Sequence, residues 1–351
     1  MPLQLFLAIF IAFLLSYFLT PQTIKFFRSR HWVENPLEKQ KKTGNATATS
    51  PVSRGGGLPI FISLFVTSLI FLPPDKHLLG ILLASFFTLI IGLIDDIKDI
   101  SPTFRLFTNF LTALIVVASG IGIAYLSNPL GGIINLTQPQ IIINFLGTHS
   151  IWILADLLAV FWIVWCMNFV GWSAGVEGQL PGFVSISAIF IGLLGLRYST
   201  DIAQWPVIIL AFTVAGAYLG FLPYNFYPQK IMPGYSGKSL AGLLLAILSI
   251  LSGAKLATLI FLLGIPMLDA IFVLFYRLYH HKSPFKSDNN HLHHQLLKLG
   301  WGRRRIAVFY WSLTLLFGLL SLFLNSQQKF YTFIGIAIIF FAITLKSFRR
   351  I

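Results

Sequence analysis

Long apolar runs recur along the whole chain and are separated by short polar segments. They lie near 3–20, 57–73, 79–95, 106–126, 151–167, 182–197, 204–222, 239–253, 256–275, 306–324 and 330–346. Each approaches the roughly 20 residues that cross a bilayer. Backbone groups in lipid must bond within their own segment, so every run is predicted as a helix. The pattern predicts an all-α, polytopic transmembrane bundle of ten or eleven spans in a single membrane domain over 1–351. The first run has no basic flank before it and no cleavage pattern after it, and is read as a retained span. One connection differs from the rest. In 127–150, Gly131-Gly132 precedes two β-prone stretches, 133–137 and 141–145, with Gln138-Pro139 between them. This predicts a short β-hairpin at the outer surface.

Composition sharpens the picture. The chain is 56% hydrophobic and 10% charged, against about 25% charged in soluble domains. There is no room for a separate soluble domain. The single cysteine, Cys166, lies inside an apolar run, which excludes an internal disulfide and a thiolate metal site. The formal charge of +14 invites a nucleic-acid reading until the basic residues are placed. The connections at 22–55, 96–105, 223–238 and 277–305, with the C-terminus, hold 21 of the 25 lysines and arginines. Lys76, Arg197, Lys255 and Lys329 fall on the other side. Basic loops mark the cytoplasmic face, so the N-terminus is predicted outside and the C-terminus inside. The basic face is then set against anionic lipid, and nucleic acid is not needed to explain it.

Four segments on that face carry the unusual polar residues; the 168–181 connection is one of them. Asp95-Asp96-Ile97-Lys98-Asp99 follows an apolar helix and holds three of the 11 acidic residues. At a membrane boundary such a cluster needs pairing, hydration or a cation. It suits a magnesium-bridged diphosphate or a proton acceptor, against a plain solvated helix end. Between Asn168 and Gly182, four glycines and a proline break the helix, and Glu177 is the only charge. Backbone N–H groups there could hold an anion, or the loop could be a connector. From Asn225 to Ser239, small residues lead to Lys238-Ser239. This is not a phosphate-binding P-loop, whose spacing differs, but an anion-binding helix N-terminus remains a reading. Finally, Asn290-His291-Leu292-His293-His294 gathers three of the eight histidines. Nearby cysteines and carboxylates are too few for a zinc site, so the imidazoles are better read as gripping a diphosphate.

In this order the segments resemble the polyprenyl-phosphate N-acetylhexosamine-1-phosphate transferase family, glycosyltransferase family 4. The resemblance runs from Arg54-Gly55-Gly56 through the Asp95-Asp96 motif with Ser101-Pro102 and Arg105, then Asn168, Gly175 and Gly178. It continues through Asn225, Pro228, Gly234, Gly237 and Gly242 to the histidine motif. It implies transfer of a phospho-sugar from a UDP-sugar to a polyprenyl phosphate, releasing UMP. It implies that Asp95 or Asp96 deprotonates or orients the lipid phosphate, and that Asp95, Asp96 and Asp99 organise Mg2+. It also implies that His291, His293 and His294 hold the diphosphate, that Arg54, Arg105 and Arg277 contact phosphate, and that Asn168, Glu177, Asn225 and Lys238 line the substrate. Expected partners are membrane lipid and the two substrates, with a homodimer left open.

Departures from the family pattern are specific. Gly171, Ala174 and Glu177 stand where the family has Asn, Asp and Asp. Tyr235 stands at the family's metal-ligand aspartate, and Lys238 at its serine. They keep a rival open, a pseudoenzyme that binds lipid phosphate without catalysis. A transporter would need ionisable groups at mid-membrane, where Asp269 is the single deep candidate.

Overall fold

The structure, a computed structural model, describes residues 2–36, 51–144, 148–252, 255–283 and 289–348. Its helices are α1 (Pro2–Ser29), α2 (Gly57–Phe71), α3 (Lys76–Lys98), α4 (Pro102–Ala118), α5 (Ile153–Trp172), α6 (Gln179–Gly195) and α7 (Trp205–Asn225). They continue with α8 (Gly234–Leu251), α9 (Lys255–Leu262), α10 (Gly264–Tyr279), α11 (Leu292–Lys298), α12 (Arg303–Ser321) and α13 (Ser326–Phe348). Seven of the described helices are long and apolar enough to cross a membrane, namely α1, α3, α5, α6, α7, α8 and α13. The protein is a polytopic helical membrane protein.

Every apolar run of the sequence carries helix, with two corrections. The run at 256–275 is not one rod: α9 and α10 meet at an angle of 80°. The run at 106–126 leaves the helix at Ala118, where the Ser119 hydroxyl donates to the Val116 carbonyl and Gly120 turns at φ 91°. The outer connection also differs from expectation. Instead of one hairpin turning at Gln138-Pro139 there are two. Strand β3 (Tyr125–Ser127) pairs antiparallel with β4 (Ile133–Asn135), and β5 (Gln140–Asn144) with β6 (Thr148–Trp152). Glycines 131 and 132, at φ 117° and 83°, turn the first hairpin, so the proline falls between hairpins.

Sequence chemistry sets the helix ends that matter for the site. Asp75 caps α3, accepting from Leu78 N at 2.7 Å. At the other end Asp99 takes a left-handed conformation, φ 49°, and stops α3. Ser101 then caps α4, with Pro102 in its first turn.

Packing depends on small residues at crossings, as expected where lipid removes the hydrophobic drive between helices. Gly216 and Gly220 of α7 lie against the backbone carbonyls of Ile9 and Phe13 of α1, where any Cβ would collide. Gly57 of α2 and Gly92 of α3 both abut Ser236 of α8. Three helices therefore meet on one serine. Successive spans alternate in direction. The loops bearing the four polar segments gather at one end. At the other end Lys329 donates to the Thr258 hydroxyl at 2.9 Å and Arg197 to the Leu322 carbonyl.

Candidate active site

Arg54 is the centre of the acidic half. The strand just before it, β2 (Val52–Ser53), pairs with β1 (Val33–Glu34), and Glu34 Oε2 lies beside the guanidinium. Ser53 O accepts from Met232 N at 2.8 Å, and Gly56 N donates to Met232 O at 3.1 Å. The guanidinium is thus fixed between two backbone segments. It lies 3.7 Å from Glu34 Oε2, 3.7 Å from Asp95 Oδ2, 3.5 Å from Asp96 Oδ1 and 2.7 Å from Asp99 Oδ1. Burial alone would lower the Arg54 pKa; Asp96, Asp99 and Glu34 outweigh it and raise it, so the charge is permanent.

The two adjacent aspartates do not sit at the water interface. Asp95 is 0% and Asp96 4% exposed. Asp95 Oδ1 accepts from Arg105 Nε at 2.6 Å and from Ile100 N at 3.1 Å. Asp96 accepts from Tyr235 N at 2.6 Å, Ser236 N at 3.3 Å and Ser236 Oγ at 2.6 Å. The first donors of α8 are therefore occupied by a protein carboxylate, which overturns the reading of that helix N-terminus as an open anion site. Gly234, at φ 67°, permits this, because a Cβ there would strike the Asp96 carboxylate.

This donor set does not fit the expected magnesium site. Asp95, Asp96 and Asp99 converge on a guanidinium rather than on an open cation position. Among the described residues no group of three or more His, Cys, Asp or Glu side chains is arranged to hold a metal ion. Tyr235 contributes no carboxylate. Its hydroxyl donates to Asn109 Oδ1 at 3.0 Å, and the Arg105 guanidinium lies 5.1 Å from its ring centroid.

The second half is built on histidines. His291 precedes α11, and His293 and His294 lie in its first turn. His293 does not point away from its neighbours. Its ring stacks on His291 at 5.7 Å and lies 4.2 Å from the His294 ring. Asp269, 3% exposed on α10, orders this row. Its Oδ2 lies 2.8 Å from His291 Nδ1 and its Oδ1 accepts from Leu292 N at 2.7 Å. A carboxylate only accepts, so Nδ1 carries the proton and Nε2 faces away from Asp269. Asp269 is thus a partner of the histidine row, not a transport group. His293 is 2% exposed, and its Nδ1 has no hydrogen-bond partner among the described residues. Burial, then His294, His291 and Lys238, hold its pKa well below the ordinary value, so the ring is neutral.

The glycine-rich loop closes over this row. Gly175 abuts the His293 ring, where a Cβ would collide. The Trp172 ring is 6.5 Å from His291. A Cβ at Gly171 would lie 3.8 Å from the Lys238 Cβ. Asn168, Gly171 and Trp172 fall on one face of α5 at helical spacing. Other expected ligands are used by the protein itself. Asn168 Nδ2 donates to Val164 O at 2.8 Å. Asn225 Oδ1 accepts from Gly178 N at 3.0 Å, and its Nδ2 donates to Ile231 O at 2.9 Å. Glu177, 4% exposed, pairs with Arg303. Arg277 is buried in the last turn of α10, two turns beyond Asp269 on the same face. Asn225 shapes the loop, whereas Glu177 pairs with Arg303 through Oε1 and keeps Oε2 buried without a hydrogen bond among the described residues. Sequence reading missed Asp269 as a histidine partner, together with Glu34, Asn109, Ser236 and Arg303. The rarity of acidic residues was the available signal for Glu34 and Asp269.

Comparison with known proteins identifies the family. A family model described as glycosyl transferase family 4 matches residues 78–253. The chain is 27% identical over 336 residues to a decaprenyl-phosphate N-acetylglucosaminephosphotransferase of Mycobacterium tuberculosis, covering 86% of this chain and 80% of that one. It is 26% identical over 280 residues to a probable undecaprenyl-phosphate N-acetylglucosaminyl 1-phosphate transferase of Bacillus subtilis, covering 78% and 73%. It is 30% identical over 345 residues to a phospho-N-acetylmuramoyl-pentapeptide-transferase of Campylobacter jejuni, covering 90% and 92%.

Proposed function

Because this chain belongs to glycosyl transferase family 4, we propose that it transfers a phospho-sugar from a UDP-N-acetylhexosamine-type donor to a polyprenyl phosphate. The products are a polyprenyl-diphospho-sugar and UMP. The observation that carries this reading is the meeting of α5, α8 and α11 at one end of the bundle, where Gly171 lies against Lys238 and Gly175 against the His293 ring. Phosphoryl transfer between two anions needs alignment and positive charge more than covalent help. Lys238 and the histidine row supply both, and Arg54 and Arg105 hold the acidic half rigid behind them. A lipid-phosphate oxygen attacks the sugar-bearing phosphorus, and the bond to the bridging oxygen breaks with its electron pair leaving on UMP. Asp95 and Asp96, buried and bonded, are assigned to positioning rather than to proton abstraction. We place this end at the cytoplasmic face, with the N-terminus outside and the C-terminus inside.

A second reading keeps one specific observation: Tyr235 gives its hydroxyl to Asn109 and leaves no carboxylate there. On that reading the chain binds the same anions without turnover. One experiment separates the two. Purified protein is incubated with polyprenyl phosphate and a panel of radiolabelled UDP-sugars, with magnesium or with EDTA. Label entering the organic phase with at least one sugar is the expected result; none with any sugar leaves the binding-only reading. Orientation is tested with an impermeant thiol reagent on intact cells, after the lone cysteine is replaced. Ser283→Cys should be protected and Asn135→Cys labelled; the reverse pattern inverts the assignment.

A further inference from the structure

We propose that Arg54 stands in for a divalent cation at the centre of the acidic cluster: its guanidinium supplies the charge that holds Glu34, Asp95, Asp96 and Asp99 together, and the cluster itself takes up no metal ion. This role belongs to the acidic half alone and does not rest on the transferase reading.

Three observations support it. First, the carboxylate oxygens are already engaged. Asp96 Oδ1 accepts from Tyr235 N, Asp96 Oδ2 from Ser236 N and Oγ, and Asp95 Oδ1 from Arg105 Nε and Ile100 N. Asp95 Oδ2 faces the guanidinium, and Asp99 Oδ1 bonds to it at 2.7 Å. Magnesium holds its oxygens at about 2.0–2.1 Å in a near-ideal octahedron. A bound ion would therefore have to displace both Arg54 and the start of α8. Second, the buried charges come close to balance without a metal. Glu34, Asp95 and Asp96 are at most 7% exposed, whereas the Asp99 side chain is 67% exposed and solvated. Against the three buried carboxylates stand Arg54, Arg105 and the positive end of α8, the last worth about half a charge. A dication added there would tip this balance to an excess of positive charge. Third, the backbone fixes where Arg54 enters. Ser53 O and Gly56 N are bonded to Met232, and Gly55, at φ 91°, packs on the Phe27 ring directly after Arg54.

Guanidinium and dication differ in what they ask of the protein. An arginine stays charged at any working pH and offers five donors, so it can serve several carboxylates at once. It is covalently part of the chain and cannot be chelated away. Tyr235 belongs to the same arrangement. A carboxylate there would add a negative charge beside Arg105, whereas the tyrosine gives its hydroxyl to Asn109 and its ring to Arg105.

The test measures metal binding directly. Full-length protein in nanodiscs of neutral lipid is titrated with Mn2+, and the EPR signal of the free ion reports how much is bound. Wild type is expected to show no binding in the micromolar range, and to melt at the same temperature in Mn2+ and in EDTA. Arg54→Met leaves the carboxylates without their cation. It is expected to take up Mn2+ and to gain at least about 2 °C in melting temperature when saturated with it. Arg54→Lys keeps a cation and is expected to stay metal-free. Micromolar Mn2+ binding by wild type that is lost in Asp99→Asn, an exposed position, overturns the proposal. So does an Arg54→Met protein that keeps the wild-type melting temperature and gains no response to Mn2+. Should Arg54→Met fail to fold, wild type and Asp99→Asn decide the matter. Phospho-sugar transfer is no part of these readouts, so its absence would bear on the transferase reading alone.

Discussion

The acidic and histidine halves of the site lie at the same end of the bundle and are both buried, but they are bonded differently. In the acidic half Arg54, Arg105, Asp95 and Asp96 satisfy one another. Buried oxygens without a hydrogen bond remain there too, Asp95 Oδ2 and Ser53 Oγ among them, but the carboxylates face a guanidinium, Asp95 Oδ2 lying 3.7 Å from Arg54. In the histidine half Asp269 and His291 are bonded, but His293 Nδ1 and Gln295 Oε1 are buried without partners. Buried carboxylates paired with a guanidinium tie their segments together, whereas a neutral buried imidazole nitrogen without a bond costs stability until something fills it. The difference separates a region built to hold helices together from one built to wait for a ligand.

The comparison is most sharply broken or upheld at Asp96. Asp96→Ala leaves Arg54 and three α8 donors without their acceptor, and breaking such a buried pair costs about 3–5 kcal/mol. Monodisperse yield and melting temperature should both fall steeply. If the protein instead stays folded and loses only turnover, the acidic half is catalytic and the contrast fails. Asp269→Asn comes next. It sets an amide donor against the His291 N–H, and UDP affinity should drop roughly 10- to 100-fold, the loss of one charge-assisted bond. His293→Leu should weaken UDP at least about tenfold while leaving the melting temperature unchanged or raised, since the unbonded nitrogen is gone. A fall in melting temperature like that of Asp96→Ala would place His293 in the scaffold.

Acidity offers an independent measure. The His293 pKa is depressed in the folded protein, while an unfolded histidine titrates at about 6.5. Below that value the unfolded chain binds the extra proton first, so stability rises with pH through the window. It should be full above about 6.5 and decline as pH falls toward the folded value. The decline should be smaller in His293→Leu, as read from thermal melts across that range. The smallest effect is expected at Tyr235→Phe. The hydroxyl bond to Asn109 is lost, but the ring stays under Arg105, so the cost is about 1 kcal/mol.

Much of this was legible in the sequence, and the limits have a physical basis. Apolar length alone located the spans, because lipid admits almost nothing but helix there. The polar clusters stood out because charge is rare in the chain. What local reading could not supply was the identity of bonding partners. Asp96 meets Ser236 across 140 positions, and Asp269 meets His291 across 22. The Asp95-Asp96 motif suggested a cation or a proton acceptor because it ends a helix, yet Arg54, Arg105 and the start of α8 engage its carboxylates. The 80° turn between α9 and α10 was hidden because an apolar run has the same composition whether straight or broken.

The seam between α1 and α7 bears on how the protein is made. Gly216 receives the Ile9 carbonyl from about 200 residues earlier in the chain. At synthesis rates of about 5–20 residues per second, α1 leaves the ribosome roughly 10–40 seconds before the helix that receives it. During that interval its groove-seeking face is covered by lipid or by an insertion factor. A bulky replacement at Gly216 or Gly220 would therefore act during biogenesis, stranding the first helix beside a bundle it can no longer join.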